Sequence, residues 1–219
     1  MNIRILRQAI LVSTLGLACT TATLADVRSK PPIMATIAQL QSTWAEVNYQ
    51  LEGEAQINGF MELIAEADIA VADYPEAAPA YIWRGIIQST YAGARGGLGA
   101  LKSAKAAKAD LEQALALDPD AMSGSAYTSL GTLYQNVPGW PIGFGSDKKA
   151  EQLLLKALTL DPQGIDSNYF YARYLQAKGR DLKAKRFFLK AQHATPRAAR
   201  PLADAGRQKE ISEALAELD

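Results

Sequence analysis

The residues best suited to covalent chemistry in this chain are Ser146, Lys149 and His193. Ser146 and Lys149 form a Ser-x-x-Lys pair, an arrangement in which some acyl-transfer enzymes hold a serine nucleophile. His193 is the only histidine, and a serine nucleophile commonly needs a histidine base. Structural roles explain Ser146 and His193 better than catalysis does. Ser146 can cap the start of a helix, and His193 lies in the last turn of a helix, where a cation suits the helix dipole. We therefore predict no catalytic residue.

The composition gives no support for a metal, a cofactor or a nucleic acid. The chain has 219 residues with 23 basic and 23 acidic side chains, so it lacks the excess positive charge of a nucleic-acid-binding protein. Its carboxylates are scattered singly, and its one cysteine, Cys19, cannot build a thiolate metal site. The glycine-rich segment 91–101 has Leu101 before Lys102, where a phosphate-binding loop needs glycine. We expect no cofactor and no metal.

The segment from Met1 to Ala25 has the pattern of a secretory signal peptide. Arg4 and Arg7 precede an apolar stretch of about ten residues, and the small residue Ala25 ends the segment. The stretch is shorter than the roughly 20 residues that a membrane-spanning helix needs. Cleavage after Ala25 would remove Cys19, and the residues before Cys19 also depart from a lipoprotein site, so we expect no lipid anchor. The sequence predicts a periplasmic or secreted chain without stable membrane insertion.

The remainder of the chain repeats one sequence pattern, in which an alanine lies five residues before a proline. Proline stops a helix because it lacks an N–H group and clashes with the preceding turn. The prolines stand at positions 75, 119, 162 and 196, so the last interval is shorter than the two before it. Between them, apolar residues recur at three- and four-residue spacing, which predicts helices, and no stretch alternates with the period of a strand. The chain is therefore predicted to be all-α.

These repeats resemble tetratricopeptide (TPR) repeats, and the last interval equals the TPR period of about 34 residues. In the third and fourth repeats the matching residues are Leu130, Gly131, Tyr134, Ala150, Leu154, Ala157 and Pro162, then Tyr171, Ala172, Leu175, Gly179, Ala184, Phe188, Ala191 and Pro196. The second repeat departs at Arg84 and Gln88, where leucine and tyrosine are usual. The resemblance, which extends to TPR proteins that Gram-negative bacteria export, implies a right-handed α-solenoid of about four helical hairpins within residues 26–201. Residues 202–219 are predicted to form a C-terminal capping helix.

Two repeats exceed the TPR period by about ten residues, and we predict an enlarged turn between the paired helices of each. The surplus falls at residues 91–101 in the second repeat and at residues 136–145 in the third. In the later turn, Trp140 and Phe144 stand among prolines and glycines. They either fold back as a small satellite core or anchor a partner. Arg95, in the earlier turn, is a candidate contact for an anion.

In TPR proteins the first helix of each hairpin faces a concave groove, and the resemblance carries the groove positions over to this chain. They are Ser125, Thr128, Thr132 and Gln135 in the third repeat, Asp166, Tyr169, Arg173 and Gln176 in the fourth, and Ile82, Ile86 and Ser89 in the second. Their hydroxyl, amide and aromatic groups suit an extended peptide or a small polar ligand. The candidate binding residues are Arg95, Thr128, Gln135, Trp140, Phe144, Asn168, Tyr169 and Arg173.

Two functions remain open on the sequence. The first is a non-catalytic periplasmic TPR scaffold, which binds a protein or peptide partner through its groove and its two enlarged turns. The second is capture of a small ligand, similar to the helical-repeat accessory (T) components of TRAP-type periplasmic solute transporters. A closed cavity bordered by Trp140 and Phe144 would favour the small ligand, whereas an outward apolar patch would favour the protein partner.

Overall fold

A computed structural model of the chain describes residues 31–218, without the side chain of Leu98. The expected signal peptide and Cys19 lie outside the described residues. Within this range the chain forms nine α-helices and a short 3-10 helix, and it has no strand. The α-helices are α1 (Ile33–Gln50), α2 (Gly53–Asp73), α3 (Ala78–Arg95), α4 (Gly97–Leu117), α5 (Ser125–Asn136), α6 (Asp147–Leu160), α7 (Ile165–Ala177), α8 (Asp181–Gln192) and α9 (Pro201–Ala216). None of these helices is long and apolar enough to cross a membrane.

The first eight helices pair in sequence order into four hairpins, and each hairpin packs against the next. The repeated prolines work as expected, since α4 ends at Leu117 just before Pro119 and α6 ends at Leu160 just before Pro162. The core consists of alanine, leucine and aromatic side chains from the facing sides of these helices. The prediction of an all-α helical solenoid of about four hairpins with a further C-terminal helix is confirmed.

Two glycines allow the helices of a hairpin to approach closely. A Cβ on Gly85 of α3 would lie 2.8 Å from Cγ of Leu111 in α4, and a Cβ on Gly131 of α5 would lie 2.8 Å from Cγ of Leu154 in α6. Both separations are shorter than a normal carbon–carbon contact, so no side chain fits at either glycine without movement of the leucine. The same close approach therefore recurs in the second and third repeats.

The two residues at which the second repeat departs from the TPR pattern belong to one polar network. Arg84 donates two hydrogen bonds to the buried carboxylate of Asp110 in α4, at 2.8 and 2.6 Å, and a third to Asp68 in α2. Gln88 also donates to Asp110, at 3.2 Å. The departures at Arg84 and Gln88 therefore satisfy a buried acid that links α3 to α4.

The enlarged turn that we predicted for the second repeat is not formed. Helix α3 continues to Arg95 and α4 starts at Gly97, so Gly96 alone separates them. The surplus residues lengthen the two helices instead, although the segment is rich in glycine, because tertiary packing buries Tyr91 and Ala92 of α3 and Ala104 of α4 in the core. Gly96 and Gly97 make the reversal, both with a φ of 63° that favours glycine. The enlarged turn of the third repeat is formed, by residues 137–146 between α5 and α6.

Replacing Gly131 by alanine should lower the free energy of unfolding by about 1–3 kcal/mol, because the new Cβ would overpack the contact with Leu154. Gly93, which lies within α3, is the matched control, since a Cβ there meets no atom within 4 Å. Gly93→Ala should leave stability unchanged or raise it by up to about 1 kcal/mol. Denaturant unfolding followed by circular dichroism measures both changes. A Gly131→Ala protein as stable as the wild type would contradict the close packing of α5 on α6.

Candidate functional site

Helix α9 closes the inner side of the solenoid. The first helices of the hairpins, α1, α3, α5 and α7, contact one another in order, and α9 contacts both α7 and α1. The contact with α1 is close, since a Cβ on Gly206 would lie 2.4 Å from the ring of Tyr49. Helix α9 also packs against α8, as a cap on the last repeat should. The five inner helices consequently form a closed circle.

This circle of helices surrounds a cavity of about 670 Å³. That volume lies within the range of small-molecule binding sites, roughly 300–1,000 Å³. The aromatic side chains of its wall are Trp44, Trp83, Tyr169 and Phe170, and the hydroxyl groups come from Ser89, Thr90, Ser125, Thr128, Ser129 and Thr132. The charged residues of the wall are Asp166, Arg200, Arg207 and Glu210. The cavity thus combines an apolar surface with a few polar and charged groups.

Two of the eight candidate binding residues, Thr128 of α5 and Tyr169 of α7, line the cavity. Other groove positions carried over from the TPR resemblance also line it, namely Ser125, Thr132, Asp166, Ile86 and Ser89. Ile82 is instead fully buried in the core. Seven of the eleven carried-over positions therefore face the cavity, whereas Ile82, Gln135, Arg173 and Gln176 do not.

The other six candidates lie outside the cavity wall, four of them on the helices. Asn168 is fully buried and donates its side-chain amide to two backbone oxygens of the preceding turn, so it stabilises the entry into α7. Arg95 is exposed and donates to the hydroxyl of Tyr91 within its own helix, at 2.9 Å. Arg173 is exposed and donates to Gln176 in its own helix. Gln135 is half-buried and contributes nothing to this cavity wall.

The turn between α5 and α6 divides its apolar residues between two environments. Phe144 packs edge-on against Tyr134, with ring centres 5.4 Å apart, and so lies against the main hydrophobic core. Trp140 is 90% exposed. Ile142, between them, is 68% exposed and reaches the cavity wall. Neither Trp140 nor Phe144 borders the cavity, and Trp140 presents an apolar surface to the outside.

Helix α9 is held to α7 by a buried arginine. Arg207 is 7% exposed, and its Nε donates to Asp166 at 2.9 Å. Its guanidinium also lies over the rings of Tyr169 and Phe170, 4.3 and 4.6 Å from their centres. Asp166 accepts a second charged hydrogen bond from Arg197, at 2.7 Å. Burial alone would raise the pKa of Asp166, but the charges of these arginines hold that pKa below its usual range.

Arg200 has a different environment from the two arginines beside it. Its guanidinium carbon lies 5.2 Å from the centre of the Trp83 ring, and both side chains line the cavity. The Nε of Arg200 and the indole Nε1 of Trp83 are buried without a hydrogen-bond partner among the described residues. Burial and then the nearby charge of Arg197 lower the pKa of Arg200. Arg200 is therefore a charged residue of the cavity wall that has no ion-pair partner in the described chain.

Sequence reasoning missed the residues that α1 and the C-terminal segment contribute to the cavity. They are Trp44, Asn48, Arg200, Arg207 and Glu210. The first repeat matches the TPR pattern only at its end, and the C-terminal helix was expected only as a cap. No local signal shows that α1 and α9 meet, so these residues could not be assigned to one site.

The residues first considered for covalent chemistry have structural roles. The Oγ of Ser146 accepts a hydrogen bond from the backbone N–H of Lys149 at 3.4 Å, which confirms Ser146 as the N-cap of α6. His193 follows the last residue of α8, is exposed, and lies 2.7 Å from the backbone oxygen of Leu189. No group of three or more metal-ligating side chains occurs within residues 31–218.

Asp166→Asn should make the chain less stable near neutral pH and remove part of its sensitivity to acid. The arginines lower the pKa of Asp166, so its stabilising effect is present above the unfolded-state value of about 3.9 and is lost as the pH falls below it. Denaturant unfolding of the wild type and the variant, from about pH 7 to about pH 3, should show the two stabilities converging. The exposed Asp120→Asn serves as the control. A stability difference that stays constant with pH would contradict this assignment.

No protein-family model and no curated protein matches the chain. Among solved structures it is similar to the crystal structure of a thermophilic TPR protein from Thermus thermophilus, with a TM-score of 0.55 and 15% sequence identity. The match covers 84% of this chain and 100% of that chain. At this level of identity the similarity concerns the fold alone. Together with the four helical hairpins, it shows that this chain has a TPR-like fold.

Proposed function

We propose that this chain is a non-catalytic binding protein, which holds a small ligand in the cavity enclosed by α1, α3, α5, α7 and α9. TPR-like folds are commonly protein-interaction scaffolds, in which an extended peptide lies along the concave groove. The observation that carries our proposal is the closure of this groove by α9, which contacts both α7 and α1. Closure of the inner face in this way favours a small molecule over an extended peptide.

The lining of the cavity supports the same function. Small-molecule sites are mostly apolar, with a few polar groups that orient the ligand. Here the rings of Trp44 and Trp83 supply apolar surface, while Thr128 and Arg200 supply polar groups. Trp44 already has a partner for its indole N–H, which donates to Thr90 at 3.1 Å, so its ring is fixed in place. The cavity is therefore largely formed before any ligand enters.

The proposal assigns this function to the periplasm, on the signal-peptide pattern of the segment from Met1 to Ala25. A ligand-binding TPR protein there is consistent with an accessory role in solute transport, similar to the T components of TRAP-type transporters. Cell fractionation with an antibody to the chain tests the compartment independently of the ligand.

Native mass spectrometry of the freshly purified protein should show an added mass that is lost on denaturation. Gly93→Phe should abolish this addition without unfolding the chain, because Gly93 lines the cavity and a Cβ there meets no atom within 4 Å. Ala106→Phe, on the exposed surface of α4, is the matched control and should keep the ligand. A ligand retained equally by both variants would exclude the cavity as its site. If the wild-type protein shows no added mass, the proposal that the purified chain retains a ligand is contradicted.

A protein partner at the turn between α5 and α6 is the second candidate function, and the outward position of Trp140 is the arrangement expected above for it. The observation that favours it is the exposure of Trp140 and Ile142 on a turn stiffened by prolines. Large apolar side chains that remain exposed often anchor a protein interface.

Trp140→Ala combined with Ile142→Ala should reduce the recovery of a partner when the chain is used as bait in an envelope extract. The expected reason is the loss of the exposed apolar anchors, and the measurement is quantitative mass spectrometry of the captured proteins. Leu182→Ala is the matched control, because Leu182 is a comparably exposed apolar residue on α8. Identical recoveries with all baits would dispose of this candidate.

A further inference from the structure

We propose that the ligand of the cavity is an organic anion with an apolar body, whose carboxylate binds Arg200 and whose body lies along the apolar wall of α3, α4 and α5. This inference rests on the proposed function and adds the chemical class of the ligand. It follows from the distribution of ion pairs at α9, from the unpaired guanidinium of Arg200 on the cavity wall and from the apolar surface of the same wall.

The carboxylates near α9 are committed to two of its three neighbouring arginines. Arg197 pairs with Asp166 and Asp204, and Arg207 pairs with Asp166 and Glu210. Arg200 forms no ion pair with any acid of the described chain, although it is half-buried. A guanidinium group that leaves water without an anionic partner is costly, so a site of this kind gains most from an anion that arrives with the ligand.

The other charged residues of the same wall lead to the same conclusion. Asp166, Arg207 and Glu210 are all held in ion pairs. Arg200 is therefore the one charged side chain of the wall without an ion-pair partner in the described chain, which marks an incomplete site. A carboxylate supplies acceptor oxygens and a negative charge together, and its planar geometry matches the guanidinium fork.

The surface next to Arg200 suits an apolar body. Trp83 and Trp44 contact each other edge-on, with ring centres 6.0 Å apart, and both rings line the cavity. Ile86, Ala104 and Leu133 continue the apolar wall on α3, α4 and α5. A strongly hydrated inorganic anion would leave this surface bare, whereas an anion with a hydrocarbon body would cover it.

Isothermal titration of the purified protein with octanoate and with octanamide tests the charge requirement, because the two probes have the same length and differ in charge. The wild type should bind octanoate at least about tenfold more tightly than octanamide, as expected for a hydrogen bond to a charged group. Arg200→Gln should lose this preference by weakening octanoate binding about tenfold, with little change for octanamide.

Arg95→Gln is the matched control, since Arg95 also lies over an aromatic ring, that of Tyr91 at 5.8 Å, but is not part of the cavity wall. It should bind both probes as the wild type does. If Arg200→Gln does not fold, Arg200→Lys replaces it as the test variant. Lysine keeps the charge without the planar fork, so octanoate binding should weaken but remain preferred.

The outcomes separate this inference from the proposed function. If the wild type binds both probes equally and Gly93→Phe abolishes both, the claim that the ligand is an anion is overturned, while the cavity remains a binding site. Binding unaffected by Gly93→Phe would overturn the proposed function itself. Failure of both probes to bind, or an octanoate preference unchanged in Arg200→Gln, would overturn the inference.

Discussion

The contact of α9 with α7 and α1 is the constraint on which the rest of the site depends. Arg207 fixes α9 to α7 through Asp166 and the rings of Tyr169 and Phe170, and Gly206 allows the same helix to approach Tyr49 of α1 closely. Arg207 is buried, whereas its partners Asp166 and Glu210 are half-buried, so removing a partner would leave the buried charge less well compensated. This contact turns an inner groove into a partly closed cavity.

Closure changes what a TPR-like chain can bind. Four helical hairpins alone present an inner face that is accessible along its length, which suits an extended peptide. The C-terminal segment covers part of that inner face, because α9 contacts α7 and α1. It also adds three arginines, of which Arg200 has no carboxylate partner in the described chain. The repeats therefore supply the aromatic and hydroxyl surface of the site, and the C-terminal segment supplies its positive charge. The exposed Trp140 remains a separate apolar surface outside the cavity.

The fold was predictable because its determinants are local and repeated. The prolines at 75, 119, 162 and 196 end helices, and the three- and four-residue apolar spacing forms their buried faces. The prediction was wrong at residues 91–101, where a surplus of residues rich in glycine was interpreted as a loop, whereas burial of Tyr91 and Ala92 in the core keeps the end of α3 helical. An excess of length over a repeat period does not say whether it extends a turn or the helices beside it.

The sequence by itself determined the helices, their pairing and the groove-facing positions such as Thr128 and Tyr169, because repeat position fixes which face a side chain occupies. Only the tertiary structure decided that α9 contacts α1. The two helices are distant in sequence, and no pattern in either one indicates that it packs against the other. The placement of Arg200 on Trp83 depends on that closure. Long-range packing, and not local pattern, therefore created the charged part of the candidate site.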